Sequence, residues 1–148
     1  MLKMIDVPPT WLAGCAALAW LQARHLPIGG FGAWADALGA LAILTGLGLM
    51  GAAVIAFRRH RTTVIPKRDP SAIITTGVFA LSRNPIYLGD ALVLLGLILR
   101  WDAVPSLVLV PAFILLIQRR FIAGEEARLA AAFPDAFAAY RAKVRRWV

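Results

Sequence analysis

The chain has 148 residues, of which 60% are hydrophobic, and it carries a net charge of +8. Soluble domains are only about 45–50% apolar, so the excess, which is grouped in blocks, indicates a bilayer protein. Its length suits a single domain spanning residues 1–148. One cysteine, Cys15, excludes a disulfide framework and a cysteine-based metal site, and we expect no metal.

Four apolar blocks follow one another along the chain, at residues 8–23, 34–57, 86–99 and 101–118. The second exceeds the roughly 20 residues that a spanning helix needs. The first is interpreted as a retained anchor, and the last two as a helical hairpin with a short connection. The pattern predicts an all-α, polytopic membrane protein with about four transmembrane helices, followed by cytoplasmic amphipathic helices.

Lysine and arginine are concentrated after the second and fourth blocks. The middle loop carries Arg58, Arg59, Arg61, Lys67, Arg68 and Arg83, and the tail carries Arg119, Arg120, Arg128, Arg141, Lys143, Arg145 and Arg146. Only Arg24 and Arg100 belong to the opposite side. Because basic flanks stay cytoplasmic, we expect a multi-pass protein of a bacterial inner membrane with both termini cytoplasmic. The charge then reflects topology and anionic lipid, and no nucleic-acid partner is expected.

A glycine motif lies inside the second block, where Gly46, Gly48 and Gly51 satisfy G-x-G-x-x-G. This pattern indicates a dinucleotide site only when it follows a strand and opens a helix. Here it lies in the middle of an apolar run. Small residues at such spacing bring helices close together in a bilayer, so we predict helix packing and no Rossmann fold.

The segment "FALSRNPIYLGD", residues 79–90, places polar side chains at the start of the third block. Asn84 and Pro85 predict a helix start, with asparagine as N-cap and proline in the first turn. Such a helix end is suited to an anion. Tyr87 follows one turn later, and Asp90 lies still deeper. Ionisable groups at that depth usually mark function, so Asp90 is expected to be a pocket-wall or acceptor-side group.

A second polar cluster, "QRRFIAGEEARL", follows the fourth block at residues 118–129. The hairpin returns the chain to the side that it left, so this cluster should emerge beside the third helix start. We therefore expect Arg120 and Glu125 to converge on one pocket at the cytoplasmic interface. Arg119 is the alternative to Arg120, and Glu126 is the alternative to Glu125.

The tail predicts two more helices, the first from about residue 119 to 133 and the second after Pro134. Aromatic and apolar residues recur there at spacings of three and four, which indicates an amphipathic helix. They are Phe133, Phe137, Tyr140, Val144 and Trp147. This helix either lies on the membrane surface or folds back over the middle loop as a lid, and the sequence leaves both open.

The segments "TTGVFALSRNPIYLGDALVLLG" and "GEEARLAAAFPDAFAAYRAKVRRWV" together resemble a known family. It is the group of membrane methyltransferases that contains isoprenylcysteine carboxyl methyltransferase and phospholipid N-methyltransferase. The shared pattern is R-[HN]-P-x-Y-x-G, a hydrophobic hairpin, a glutamate pair and a basic aromatic end. The resemblance runs from about residue 62 to the C-terminus, whereas residues 1–60 match only as two generic spans.

The resemblance implies a pocket for S-adenosyl-L-methionine at the cytoplasmic interface. Carried over by position, its lining residues would be Ser71, Ile73, Ile74, Phe79, Asn84, Pro85, Ile86, Tyr87 and Glu125. Tyr87 would lie near the sulfonium cation, and Arg120 would anchor the acceptor's anionic group, which makes these two the candidate catalytic residues. The implied acceptor is a lipid or lipophilic molecule with a carboxylate, thiol or amine.

Two other classes of protein are weighed against this one. A membrane reductase of the sterol-reductase type has a related C-terminal half but uses NADPH. A small non-enzymatic four-helix membrane protein, such as a multidrug transporter, needs an essential acid in its first span. Residues 8–23 are uncharged, which disfavours the transporter.

Overall fold

The computed structural model describes residues 6–62 and 70–148, and in these two ranges all regular structure is helical. The first three long helices are α1 (Pro8–His25), α2 (Trp34–Arg59) and α3 (Pro85–Arg100), with a 3₁₀ turn at Gly77–Ala80 before α3. A 3₁₀ turn at Val104–Val108 leads into α4 (Leu109–Ile117), a π-helical turn (Gln118–Ile122), α5 (Ala123–Ala132) and α6 (Pro134–Lys143). Lys67 and Arg68 of the basic loop lie outside the described residues.

α2 and α3 pack as antiparallel neighbours along two pairs of glycines. A Cβ atom added at Gly46 would lie 2.6 Å from the carbonyl oxygen of Gly89. One added at Gly39 would lie 2.7 Å from the carbonyl oxygen of Gly96. The two glycines on α2 are seven residues apart, and so are the two on α3. The backbones therefore touch at two levels along one line of contact, which we call the glycine seam. This seam fixes the position of α3, whose first turn carries the polar cluster.

The glycine motif of α2 therefore has a packing role through one of its three members. Gly46 contacts α3, whereas a Cβ at Gly48 or Gly51 would meet no atom within 4 Å. The predicted packing role is therefore wrong for Gly48 and Gly51. They lie two and five residues after Gly46, which places them away from the face of α2 that contacts α3. No strand occurs in the described residues, in agreement with the rejection of a Rossmann site.

Within residues 6–62 and 70–148, two helices are long and apolar enough to cross a membrane, namely α2 and the continuous helix Val104–Ala132. The outward face of α2 exposes large apolar side chains, each 47–67% accessible: Leu38, Leu41, Leu44, Leu47 and Ile55. A contiguous apolar face of this kind is typical of contact with lipid. α1 and α3 are shorter, at 18 and 16 residues, so the expected count of four spans remains a prediction.

The sequence predicted that the helix of the fourth apolar block ends before a separate helix begins at about residue 119, and this prediction is wrong. α4 continues through the π-helical turn into α5, so the chain is helical without a break from residue 104 to 132. The π turn accommodates an extra residue without ending the helix. Pro134 does separate α5 from α6, as predicted. α6 ends at Lys143, so Val144 and Trp147 lie beyond it.

α6 folds back over the loop that precedes α3. Phe137 and Tyr140 are buried in a cluster with Ile74, Phe79 and Ala53, the last from α2. This arrangement corresponds to the lid interpretation of the tail, since the apolar face of α6 is covered by the chain's own middle loop.

Candidate functional site

A cavity of about 490 Å³ opens where the start of α3, the loop at 70–79, α5 and α6 meet. That size lies within the range of small-molecule sites. Its walls include most of the residues predicted for the pocket, namely Ile73, Ile74, Phe79, Asn84, Pro85, Ile86, Tyr87 and Glu125. The topology thus brings together, in one cavity, the residues at 73–87 and Glu125, which is 38 positions beyond Tyr87 in the sequence.

Two predicted residues do not line this cavity. The Ser71 hydroxyl donates to the carbonyl oxygen of Arg61 at 3.2 Å. The Arg120 guanidinium donates to the Asp6 carboxylate at 2.6 Å and lies 5.4 Å from the centre of the Trp11 ring. Arg120 belongs to the π-helical turn, which changes the direction that successive side chains face. The expected convergence of Arg120 with Glu125 is therefore not present, and Arg120 lies beside the start of α1.

α3 begins at Pro85, as the sequence predicts, but Asn84 does not cap it with its side chain. Its amide nitrogen donates instead to the carbonyl oxygen of Arg146 at 3.0 Å. The first intrahelical bond joins the Leu88 N–H to the Asn84 carbonyl at 2.9 Å. The N–H groups of Ile86 and Tyr87 precede that bond and have no side-chain cap. Both residues line the cavity, and their N–H groups belong to the positive end of the helix dipole.

Tyr87 and Glu125 form the polar centre of the cavity. The Tyr87 hydroxyl donates to Glu125 Oε1 at 2.7 Å across 38 positions of sequence. Tyr87 is buried, and Glu125 is half-buried. The contact places Glu125 of the second polar cluster beside the start of α3, where the hairpin was expected to return the chain.

The neighbouring Glu126 has a different role. One of its oxygens lies 2.6 Å from a terminal nitrogen of Arg146, and the other lies 3.3 Å from Arg83. The hydrogen bond with Glu126 raises the pKa of the Arg146 guanidinium. Glu126 therefore fastens the C-terminal segment to the start of α3. Of the two glutamates that the sequence left open, Glu125 is the one with its carboxylate joined to Tyr87.

The tail completes the wall. The Tyr140 hydroxyl donates to the Phe79 carbonyl at 2.6 Å, and burial raises the pKa of Tyr140 to about 12. The Phe79 ring meets Phe57 edge-on, with 5.4 Å between centroids. The Arg83 N–H donates to the carbonyl oxygen of Arg145 at 3.0 Å. These bonds hold the lid over the loop.

Sequence reasoning missed the contribution of the first two helices. Val7 and Pro8 at the start of α1, and Met50 and Phe57 on α2, all line the cavity. The seven-residue spacing of Met50 and Phe57 places them on one face of α2. The spacing could have predicted that both side chains face the same neighbour. It does not indicate that this neighbour is the cavity.

Asp90 also lines the cavity, one helical turn beyond Tyr87. It is 1% exposed, and in the described part of the chain neither of its carboxylate oxygens has a hydrogen-bond partner. This agrees with the expectation that Asp90 is a pocket-wall group.

These features define a helical protein with membrane-length apolar helices and a small-molecule cavity at one end of the bundle. The sequence profile of the phospholipid methyltransferase family matches residues 34–136, more than half of the chain. The chain belongs to this family, which suggests a membrane methyltransferase. The match begins at the first residue of α2, so this helix is part of the family region and is more than a generic helix. Comparison with curated proteins and with solved structures gives no match.

Proposed function

We propose that this chain transfers the methyl group of S-adenosylmethionine to a lipophilic or lipid-linked acceptor at the membrane surface. Membership of the phospholipid methyltransferase family supports the reaction type. The observation that carries the choice of methyl donor is the uncapped start of α3 beside the Tyr87–Glu125 pair in one cavity.

The groups in this cavity match the parts of the methyl donor. The N–H groups in the first turn of α3, which have no side-chain cap and lie at the positive end of the helix, suit the methionyl carboxylate. Glu125 can accept hydrogen bonds from the amino group or the ribose hydroxyls. The apolar side chains of Ile73 and Phe79 supply surfaces for a flat base. A zwitterionic amino acid needs both an anion site and a carboxylate that accepts its ammonium group, and the start of α3 and Glu125 would supply these two.

The bound donor would supply an electrophilic methyl group on a sulfonium. The protein's task is then to align the acceptor and exclude water. Tyr87 can place its ring against the cation, while α6 covers the cavity through the Tyr140–Phe79 bond. We assign Arg120 the anchoring of the acceptor's anionic group outside the cavity, because it lies beside α1, whose Pro8 lines the wall.

We further propose that α1, α2, α3 and the 104–132 helix all cross the bilayer. The cavity, α5, α6 and both termini would then lie on the cytoplasmic side, which is the side rich in lysine and arginine. The soluble donor would enter from the cytoplasm and the acceptor from the bilayer.

The test is calorimetric titration of S-adenosylmethionine into the detergent-purified protein. Tyr87→Phe and Glu125→Gln should each weaken binding roughly tenfold, the equivalent of one lost hydrogen bond of about 1.4 kcal/mol. Asp36→Asn is the matched control, because Asp36 pairs with Arg100 at the far end of α3. No binding by the wild type, or binding of NADPH in its place, would refute the proposal.

A further inference from the structure

The basic residues on the cavity side of the bundle fall into a paired and an unpaired group. Glu126 pairs with Arg83 and Arg146, and Asp6 pairs with Arg120. No acidic side chain of the described residues pairs with the exposed cations at or just beyond the ends of α2 and α6. These cations are Arg58, Arg59, Arg61, Arg141, Lys143 and Arg145. The paired group joins segments of the fold, whereas the unpaired group is open to a partner.

Arg141 and Lys143 lie on the two sides of the covered face of α6. Phe137 and Tyr140 mark the centre of that face, because both are buried against the middle loop. At about 100° per residue, the two cations lie roughly 70° and 90° from this centre, in opposite directions. The outward face, roughly 130–170° from the centre, consists of Asp135, Ala138, Ala139 and Ala142. The outward face thus offers no cation to a soluble acidic partner, and the two cations flank the side that is turned towards α2.

The contact between α6 and α2 sets the depth of α6 in the membrane. Phe137 and Tyr140 share a buried cluster with Ala53, six residues before the end of α2 at Arg59. α2 has 26 residues, which is about 39 Å of helix against a hydrocarbon core of about 30 Å. An upright α2 therefore extends about 4–5 Å beyond the core at each end, and Ala53 lies about 4–5 Å inside it. Because α6 packs one side-chain length further out, its backbone lies in the headgroup layer.

Resting on the proposed crossing of the bilayer by α2, and not on the choice of methyl donor, we infer that α6 is a lid that closes on anionic phospholipid. At headgroup depth, Arg141 and Lys143 can each bind a lipid phosphate while their carbon chains lie along the boundary. The lipid acts here as a charged surface and not as the methyl acceptor. Lifting α6 from the middle loop would carry both cations away from that surface, at a cost that grows with its negative charge. An acidic membrane therefore keeps the cavity covered, whereas on a neutral one the cover depends on protein contacts such as the Tyr140–Phe79 bond.

The test is hydrogen exchange of the α6 amides, measured by mass spectrometry on the protein in nanodiscs without methyl donor. One set of nanodiscs contains phosphatidylcholine, and the other contains phosphatidylcholine and phosphatidylglycerol in equal parts. Wild type is compared with the double variant Arg141→Gln/Lys143→Gln. The matched control, a charge-relocated variant, combines these two changes with Ala139→Lys and Ala142→Lys. It keeps the net charge but moves it to the outward face, and all four positions are exposed.

We expect phosphatidylglycerol to slow exchange of wild-type α6 by at least about fivefold, the effect of one cation at such a surface. Salt at about 0.5 M should remove most of this effect. The double variant and the charge-relocated variant should each exchange at the same rate in both kinds of nanodisc.

Equal exchange of wild-type α6 in the two lipids would overturn the inference, as would slowing of either variant by as much as wild type. Heparin added to phosphatidylcholine nanodiscs tests a soluble acidic partner, and an equal slowing of wild type by heparin would also overturn it. If the variants fail to fold, the lipid and salt dependence of wild type decides. Binding of S-adenosylmethionine is measured apart from exchange, so its absence refutes the proposed methyl donor alone.

Discussion

Glu125 and Glu126 are adjacent on α5 but have different partners. Glu125 takes the Tyr87 hydroxyl, whereas Glu126 joins the arginines of the chain end and of the segment before α3. Successive residues of a helix point about 100° apart, so the two carboxylates face different neighbours. The sequence predicts that a glutamate reaches the cavity, but the choice depends on the position of Arg146, twenty residues further on.

Asp102 provides a pH-dependent contact at the far end of the bundle. Its carboxylate accepts the N–H groups of Gly30 and Phe31 at 2.9–3.0 Å, which ties the α1–α2 loop to the turn after α3. These hydrogen bonds hold the pKa of Asp102 below its ordinary value of 3.8. Because the folded pKa is the lower one, the stabilisation is complete above the ordinary value and is lost as the pH falls through the folded pKa.

We therefore predict that Asp102→Asn lowers the unfolding temperature at pH 7 and that the difference from wild type shrinks towards pH 3. Thermal unfolding of both proteins across this range in one detergent measures the effect. A difference that is independent of pH would show that the carboxylate charge does not contribute. Wild-type unfolding temperatures alone do not test the prediction, because other acids titrate over the same range.

The contact between α2 and α3 depends on glycine at specific positions. Gly46 lies so close to Gly89 that an added methyl group would meet its carbonyl oxygen at 2.6 Å, and that backbone atom belongs to a rigid helix. Gly48 lies two residues away on the same helix and has open space around it. The pair thus offers a substitution and its control within one turn.

We predict that Gly46→Ala forces α3 away from α2 and destabilises the protein by about 1–3 kcal/mol, the usual cost of overpacking. Gly48→Ala should leave stability unchanged or raise it by up to about 1 kcal/mol, because alanine is the better helix former. Unfolding in increasing denaturant within a fixed detergent measures both. Equal effects of the two substitutions would refute the glycine seam. Gly46→Ala should also reduce binding of S-adenosylmethionine, since α3 carries the start of the cavity.

The helices that the sequence predicts well are those with strong local signals. The second block, expected at 34–57, is α2 at Trp34–Arg59, and the N–P step fixes the start of α3 at Pro85. The π-helical turn at 118–122 has no such signal, so the apolar run was expected to end where the helix in fact continues. The amide of Asn84 likewise does not cap its own helix and donates to a carbonyl oxygen 62 positions later, which no local signal predicts.

The cavity is a product of the whole chain. Its walls come from the starts of α1 and α3, from α2, from the loop between α2 and α3, and from α5 and α6. The last residues close this arrangement, since the carbonyl oxygens of Arg145 and Arg146 accept hydrogen bonds from Arg83 and Asn84. Periodicity and motifs identify each segment separately. Which segments meet is decided by the helix order and by the glycine seam.

The membrane arrangement can be tested with four single cysteines in a Cys15→Ser background. Thr10→Cys, Ile28→Cys, Leu81→Cys and Val148→Cys all change exposed residues near helix ends or in connections. A membrane-impermeant maleimide is applied to sealed right-side-out vesicles and to inverted ones, which are each other's control. Labelling in only one of the two preparations assigns each position to a side.

With four spans, each helix carries the chain across once. Ile28→Cys should therefore react in right-side-out vesicles, and the other three should react in inverted vesicles, where the basic side faces outward. If only α2 and the 104–132 helix cross, the chain returns to its first side after residue 132. Val148→Cys would then be labelled in the same vesicle preparation as Ile28→Cys, and Leu81→Cys would be labelled in the other preparation. That outcome would refute a spanning α3 and would require Asp90 to lie at the membrane surface. Labelling of both Val148→Cys and Leu81→Cys in inverted vesicles would place the start of α3, and the cavity that it lines, on the basic side of the membrane.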